Sequence, residues 1–337
     1  QPRSRGLGDV YKRQKYMDFR TIIKPLEGMA GLVSHDHPVV MIGSCFTDNI
    51  GARLRGELYD CIVNPCGTLY NPASIASSML DLLYDRDFTA GELFQHEGVW
   101  RSYSHHSRFS GTDREAVLRM MNDAAAEARE ALQRASVLIV TFGTAWIFRL
   151  KEDNRVVANC HKQPASLFNR EMLNTTQIIG LWKKILREIT ARYPDLKVMF
   201  TVSPIRHLAD GAHGNQVSKS TLLLAVDRLV AENPSALYFP SYEIMLDDLR
   251  DYRFYAADMV HPSDVAVDYI YDLFRRSFVS DADARIGAEC ARLVKRLNHR
   301  SLSGVADTEF DRATAAMRDD LLSRYPYIAS ALTRLQR

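Results

Sequence analysis

The feature that most constrains the fold is an alternation of short apolar runs with longer segments of helical periodicity. The runs cover residues 39–42, 58–63, 136–143, 196–204 and 236–240, of which SVLIVTFG at 136–143 is the plainest buried strand. Parallel neighbours in a sheet need crossover connections, which are usually helices. The alternation therefore predicts an α/β fold: a doubly wound parallel sheet of about five strands with helices on both faces.

Helical patterns separate or follow these runs. They cover residues 115–134, 177–193, 216–232 and 264–278. A further helix is predicted directly after the first run, because apolar residues recur at every fourth position on one face: Phe46, Ile50, Leu54 and Leu58. The stretch MIGSCFTDNIG at 41–51 therefore reads as strand, tight turn and helix, with Ser44 and Cys45 presented at the turn.

Composition limits the class of protein and its partners. The chain has 337 residues, 46% apolar and 25% charged, which is typical of a globular protein. Its formal net charge of +2 provides no long-range attraction for nucleic acid. No apolar run reaches the roughly 18 residues that a membrane span needs. We therefore predict no nucleic-acid or membrane partner and leave the oligomeric state open.

The cysteines argue against a disulfide framework. They stand at positions 45, 61, 66, 160 and 290, form no C-x-x-C pair and are odd in number. A reducing, cytoplasmic location is the simpler interpretation. Cys160-His161 has no second ligand cluster at zinc-type spacing, so we predict no metal and no other cofactor.

We predict three stretches along the chain. Residues 1–16 have neither a hydrophobic period nor a signal-peptide apolar core, and a plausible start follows at Met17. We expect them to be a non-native or disordered leader. Residues 17–280 are predicted to form the α/β domain, and residues 281–337 a helical extension packed on it.

Small, hydroxyl and polar residues follow the predicted strands. They are Gly43 and Ser44 after the first run, residues 64–67 after the second, Gly143 and Thr144 after the third, and residues 203–207 after the fourth. In an open α/β sheet the ligand binds in the crevice outside the carboxyl ends of the strands. Each residue taken alone is more often an ordinary cap or turn, but together they mark a candidate site.

A carboxylate and an imidazole late in the chain add weight to Ser44. The segment FYAADMVHPSD at 254–264 places Asp258 and His261 three residues apart, where both side chains can share one side of a turn. A serine hydroxyl needs such a base, and the base needs a third group to fix its tautomer. The alternative, preferred if Ser44 were absent, is that Asp258 caps a turn and His261 is a surface histidine.

These residues resemble the pattern of the SGNH (GDSL-like) hydrolase superfamily, with G-S after strand one, a glycine after strand two and a late D-x-x-H-P. Six short sequence motifs, in this order along the chain, resemble those of the GSCFA family within it: GSCFTDNIG, NPCGTLYNP, TFGTAWIF, NCHKQP, TVSPIRH and DMVHPS. The resemblance runs from about Phe19 to about Phe278, and a helical LNHRSLSG at 297–304 resembles the family's C-terminal extension. It implies an SGNH or flavodoxin-like fold.

The resemblance also implies an activity: cleavage or transfer of an O-linked, small, acetyl-like acyl group. In that mechanism Ser44 forms the acyl-enzyme, His261 moves the proton and Asp258 orients His261. The same turn would serve if Cys45 were the nucleophile, but we take the superfamily pattern to favour the serine directly after glycine. Cys45 is then expected to point into the core.

The implied oxyanion donors include one substitution. The amides of Ser44 and Gly67 are expected to contribute. The asparagine that many SGNH enzymes carry after the third strand is missing, since the word there is GTAW, with Ala145 at that position. We expect Asn159, which follows the hairpin-like excursion RLKEDNRVV, to replace it; the alternative is that Asn159 ends a strand.

The remaining predictions concern the substrate, a small-molecule or saccharide-linked acyl ester. The residues expected to bind it are Gly143, Thr144, Trp146, His161, Arg206, His207 and His106. Trp146 is at least as readily explained by packing, and His106 lies on a long connection that forms either a lid or a solvated loop. The alternative function is a non-catalytic carbohydrate- or acyl-binding module on a degenerate SGNH fold.

Overall fold

The computed structural model describes residues 20–299 and 308–335. The strands in this part of the chain are β1 Val39–Gly43, β2 Cys61–Val63, β3 Leu93–His96, β4 Val99–Ser102, β5 Val137–Phe142, β6 Trp146–Leu150, β7 Val156–Val157, β8 Phe168–Met172, β9 Lys197–Val202 and β10 Ala236–Tyr238. The helices are α1 Cys45–Gly56, α2 Pro72–Leu83, α3 Arg114–Leu132, α4 Thr175–Arg192, α5 Gly211–Glu232, α6 Asp264–Phe278, α7 Asp281–Leu297, α8 Thr308–Arg324 and α9 Ala329–Leu335. A helical turn at Ser241–Glu243 continues as a π-helix over Ile244–Leu249.

The five predicted strands form one parallel sheet. Its order is β10-β9-β5-β1-β2, and each neighbouring pair runs parallel. The predicted doubly wound α/β fold is thereby confirmed. The second strand was predicted to begin three residues too early: β2 begins at Cys61, because Leu58 has a left-handed φ of 58° and belongs to the turn after α1.

The sheet is covered on both faces because its strands alternate between two apolar clusters. In β1, Val40 and Ile42 belong to the cluster that includes residues of α2, α3, α4 and α5, of which Trp182 is the largest fully buried side chain. Val39 and Met41 belong to the other cluster, which includes residues of α1 and α6. Successive side chains of a strand point to opposite faces, so this alternation follows from the strand geometry.

Two small antiparallel sheets were not predicted. One is the β3–β4 hairpin, and the other is a three-stranded sheet in the order β7-β6-β8. The β6–β7 pair is the hairpin-like excursion that the sequence suggested, with Phe148 opposite Val157. Since β6 begins soon after β5 ends, this sheet is attached at the carboxyl edge of the central sheet.

The C-terminal helices pack beside the turn that leads into β2. Leu58 shares an apolar cluster with residues of α7, α8 and α9. The Asp60 carboxylate accepts from Arg334 Nε at 2.7 Å and from Ser330 Oγ at 2.9 Å. The predicted leader, residues 1–16, lies outside the described residues, as do 300–304 of the LNHRSLSG word, and α7 ends at Leu297. No helix among the described residues is long and apolar enough to cross a membrane.

Candidate active site

The turn between β1 and α1 is fixed by glycine and by the neighbouring strands. Gly43 has a φ of 148°, and a Cβ there would overlap the Thr141 carbonyl of β5. The Gly43 amide donates to Asn64 Oδ1 at 2.8 Å, and the Ser44 amide donates to Thr141 O at 3.2 Å. The chain therefore turns tightly at the carboxyl edge of the sheet and begins α1 at once.

Ser44 is the N-cap residue of α1. Its side chain is 1% exposed, and its Oγ accepts from the Phe46 amide at 3.4 Å. No hydrogen bond joins Ser44 to His261 within the described part of the chain. The predicted use of the Ser44 amide as an oxyanion donor does not fit this geometry, because that amide already donates to Thr141.

Cys45, the first residue of α1, faces the histidine instead. Its Sγ lies 3.8 Å from His261 Nε2, although the two residues are 216 positions apart. The expectation that Cys45 points into the core was wrong in this respect: the half-buried side chain packs beside the core but its sulfur faces the imidazole. Burial, together with Asp48, raises the pKa of the Cys45 thiol, while the amides of Cys45 and Phe46 act in the opposite direction.

Asp258 and His261 come together in the loop before α6. His261 Nδ1 lies 2.6 Å from Asp258 Oδ2, while Asp258 Oδ1 accepts from the backbone amides of His261 and Val260 at 3.0 and 2.9 Å. The hydrogen bonds from the His261 amide, the Val260 amide and the imidazole lower the pKa of Asp258 to about 2. The carboxylate is therefore ionised at neutral pH and orients the ring so that Nε2 faces Cys45.

Gly143 and His207 lie next to each other, and Gly143 lies beside Ser44, as expected from their positions after β5, β9 and β1. A Cβ on Gly143 would lie 3.3 Å from Ser44 Cβ and 3.5 Å from His207 Nε2. That nitrogen is buried without a hydrogen-bond partner among the described residues. Burial, followed by the charge of Lys219, lowers the pKa of His207 to about 4, so its imidazole is neutral at pH 7. The Gly143 and Thr144 amides both donate to Tyr70 O.

Gly67 and Asn159, two of the predicted oxyanion residues, each lie in a hydrogen-bonded turn. The Gly67 amide donates to Asn64 O at 2.7 Å and so closes the turn after β2. The Asn159 Oδ1 accepts from the His161 amide at 2.8 Å, which makes Asn159 a turn residue after β7. The predicted oxyanion role of the Gly67 amide therefore does not fit this geometry. The bond to His161 uses only the Asn159 oxygen and leaves the Nδ2 group, the donor that an oxyanion site needs, uncommitted by it, so the role of Asn159 stays a prediction.

The remaining predicted substrate residues lie in structural contacts. His161 is 3% exposed and its Nε2 is 2.7 Å from Ser102 O. His106 packs against Gly67, where a Cβ would overlap its side chain. The Arg170 guanidinium lies 4.1 Å from the centroid of the Trp146 ring. These contacts favour packing for His161 and Trp146, while His106 stands beside the turn that follows β2.

A comparison with known protein families shows which family this chain belongs to. A model described as the GSCFA family matches residues 38–274, which include the β1–α1 turn, Asp258 and His261. The chain belongs to the GSCFA family. The match ends within α6, so α7, α8 and α9 lie beyond it. No curated protein matches this GSCFA sequence.

Similar solved structures are distant in sequence. One is a carbohydrate esterase family 2 enzyme with a carbohydrate-binding domain from Corynascus thermopiles (Myceliophthora fergusii): 12% identity, 77% of this chain and 68% of that chain covered, TM-score 0.36. A carbohydrate esterase family 3 protein from Talaromyces cellulolyticus has 14% identity, with 77% and 98% covered and a TM-score of 0.32. A family two carbohydrate esterase from Clostridium thermocellum, solved with cellohexaose, has 11% identity, with 75% and 64% covered and a TM-score of 0.30.

The sequence reasoning missed Lys219, a buried lysine of α5 behind the site of this GSCFA chain. Its side chain is fully buried, and Nζ donates to Gly143 O and to Ser203 O at 2.6 Å each. It therefore ties the loop after β5 to the loop after β9. A signal was present: Lys219 stands three residues before Leu222, seven before Val226 and ten before Leu229, on the apolar face of its helix.

Lys219 is expected to make the stability of the protein rise with pH. Burial, followed by the charge of Arg206, lowers its pKa from 10.5 to about 7. Between these values the unfolded chain binds more protons than the folded one, so the free energy of unfolding increases with pH, by at most ~1.4 kcal/mol per pH unit. Lys219→Met lacks this contribution. Urea unfolding from pH 7 to 9.5 should show that the free energy of unfolding of the wild type, minus that of the variant, increases with pH; a constant difference would contradict this assignment.

A groove of about 400 Å³ opens beside the histidine loop. Its lining includes Met259, between Asp258 and His261 in the chain, and two arginines, Arg206 and Arg250. The Arg206 amide donates to Val260 O at 3.2 Å, which joins the loop after β9 to the histidine loop. Arg206 Nε is buried without a hydrogen-bond partner among the described residues. Arg206, one of the residues predicted to bind the substrate, therefore lies at the groove.

Proposed function

We propose that this GSCFA protein is a hydrolase or acyltransferase of the SGNH type that acts on acyl esters. It works through a covalent acyl-enzyme formed at the β1–α1 turn. The observation that carries the proposal is the Asp258–His261 pair, whose free imidazole nitrogen faces that turn at the carboxyl edge of the sheet. Ligands of open α/β sheets bind at this edge.

The chemistry follows from the order of the contacts. Asp258 accepts from His261 Nδ1–H, which leaves Nε2 unprotonated and able to take a proton from a nucleophile at the turn. The sequence predicts Ser44 as that nucleophile, and the adjacent Cys45 presents the other candidate atom. The negative charge on the tetrahedral intermediate develops beside the first turn of α1, whose N–H groups and dipole stabilise it.

The groove supplies a binding site for the rest of the substrate. Tyr252 and Tyr255 line it together with the two arginines. Arginine donors and aromatic faces suit oxygen-rich groups such as a saccharide or a carboxylate. We therefore propose a small acyl group on a saccharide or other hydroxylated carrier as the substrate class, with Arg206 contacting the carrier.

A panel of esters tests this function. We expect the protein to release p-nitrophenol from p-nitrophenyl acetate and acetate from acetylated sugars, above the rate in buffer alone, across pH 5 to 9, a span around the ordinary histidine pKa of about 6.5. A binding module without chemistry predicts no release from any ester but measurable affinity for acetylated sugars in calorimetry. Absence of release across the whole panel would overturn the enzyme proposal.

A further inference from the structure

We propose that the nucleophile is the Cys45 thiol and not the Ser44 hydroxyl, so that Cys45, His261 and Asp258 form a cysteine triad. This inference rests on the proposed function and adds the identity of the attacking atom. The sequence pattern favoured Ser44 over Cys45. The structure reverses that preference, because Ser44 caps α1 whereas the Cys45 sulfur faces His261.

The thiol of Cys45 and the carboxylate of Asp258 contact the two different nitrogens of the His261 imidazole. Cys45 Sγ lies 3.8 Å from His261 Nε2, and His261 Nδ1 lies 2.6 Å from Asp258 Oδ2. A nucleophile, a base and a group that orients the base are the three parts such a site requires, and contacts in sites without substrate are often longer than in the reacting complex.

Ser44 lacks this placement. Its hydroxyl is nearly inaccessible and is occupied as the N-cap acceptor of α1, a role that serine commonly fills at helix starts. Ser44 has the extended backbone of an N-cap, with ψ at 172°, whereas Cys45 is the first helical residue. The cap bond holds the hydroxyl at the Phe46 amide, and the thiol is the group that lies opposite His261 Nε2.

The surroundings explain why a base is needed. Burial raises the pKa of Cys45 above the ordinary thiol value of 9.0, so the resting group is a protonated thiol at neutral pH. A thiolate formed during attack gains from the amides of Cys45 and Phe46 at the start of α1 and from the Lys219 cation. His261 therefore acts as a general base for the thiol.

The other cysteines lack such a partner. Cys61, Cys66 and Cys290 are buried, and Cys66 Sγ accepts from Ser78 Oγ at 2.9 Å. Cys160 is half-buried beside the small sheet that contains β7. Among the cysteines that the structure describes, Cys45 is the one whose thiol contacts an imidazole. Cys45 is therefore the cysteine placed to react.

The reaction balances with water or a second hydroxyl compound as the acceptor. Sγ attacks the ester carbonyl carbon while the thiol proton passes to His261 Nε2. The carbon–oxygen bond to the alcohol breaks, and the alcohol leaves with that proton. The acceptor then attacks the thioester, its proton passes to Nε2, and the sulfur leaves and regains the proton, which restores the thiol and releases the acid or the new ester.

Paired substitutions test the assignment on an ester that the wild type hydrolyses. Cys45→Ala is expected to lower kcat by at least about 10³-fold, whereas Ser44→Ala is expected to retain most turnover with a lowered Tm from the lost helix cap. Iodoacetamide should inactivate the wild type and Ser44→Ala alike, with the label on Cys45. Cys160→Ser is the matched control and should remain active and sensitive to iodoacetamide.

The outcomes separate the two proposals. Loss of turnover in Ser44→Ala, with Cys45→Ala active and both variants folded by circular dichroism, overturns the thiol assignment and leaves the esterase proposal standing. If the wild type hydrolyses none of the esters, both the esterase proposal and the thiol assignment are overturned. A Cys45→Ser variant with full wild-type rates would also contradict a role that depends on the thiol.

Discussion

His261→Ala is expected to lower kcat for ester hydrolysis by about 10⁴- to 10⁶-fold, the range found when the base of a hydrolytic triad is removed. The reason is that Nε2 is the atom facing Cys45 Sγ, and burial keeps that thiol protonated until a base removes its proton. Stopped-flow or steady-state rates with p-nitrophenyl acetate measure the loss.

His37→Ala is the matched control for this variant. His37 is exposed and stands two residues before β1, at the amino edge of the sheet and therefore away from the turn. Its replacement should leave kcat within about twofold of wild type, as expected for a surface residue far from the site. Equal rates for the two variants would show that His261 moves no proton in the reaction.

Asp258→Asn is expected to lower kcat by up to about 10⁴-fold with little change in KM. The asparagine oxygen can keep the two backbone hydrogen bonds that Asp258 Oδ1 accepts. Its NH₂ group, placed at Oδ2, donates to His261 Nδ1 and so moves the ring proton to Nε2. The nitrogen that faces Cys45 is then a donor and cannot accept the thiol proton.

The pH dependence of kcat tests whether Asp258 remains ionised during turnover. Because hydrogen bonds lower the pKa of Asp258 to about 2, the carboxylate stays ionised well below neutral pH, and its protonation should contribute no loss of activity above about pH 4.

Asp113→Asn is the control for Asp258→Asn. It changes the N-cap of α3, keeps a capping residue there, and should retain wild-type rates. Full activity in Asp258→Asn would remove Asp258 from the mechanism.

The central sheet was predictable because its signal is local. Residues 137–142 are buried on both faces, so the strand reads as an apolar run with Thr141 as its one polar residue. The peripheral strands were not predictable in this way. β8 exposes Asn169, Arg170 and Glu171, and its apolar ends give no period that separates a strand from a loop.

The site was predictable in part for the same reason. Asp258 and His261 are three residues apart, and local spacing is enough to bring them together. The atom opposite His261 depends on how a loop more than 200 residues downstream approaches α1, which no local pattern encodes. Likewise, the sequence identifies Gly67 as a small turn residue but does not show that its amide is already used within that turn.

Locating the acyl group in the acyl-enzyme shows whether the Cys45 thiol, served by His261, is the attacking nucleophile. Wild-type protein is acid-quenched during turnover of p-nitrophenyl acetate and digested, and fragment ions separate Ser44 from Cys45. A thiol nucleophile predicts an acetyl group on Cys45 that neutral hydroxylamine removes, as expected of a thioester. An acetyl group on Ser44 that resists neutral hydroxylamine would contradict it.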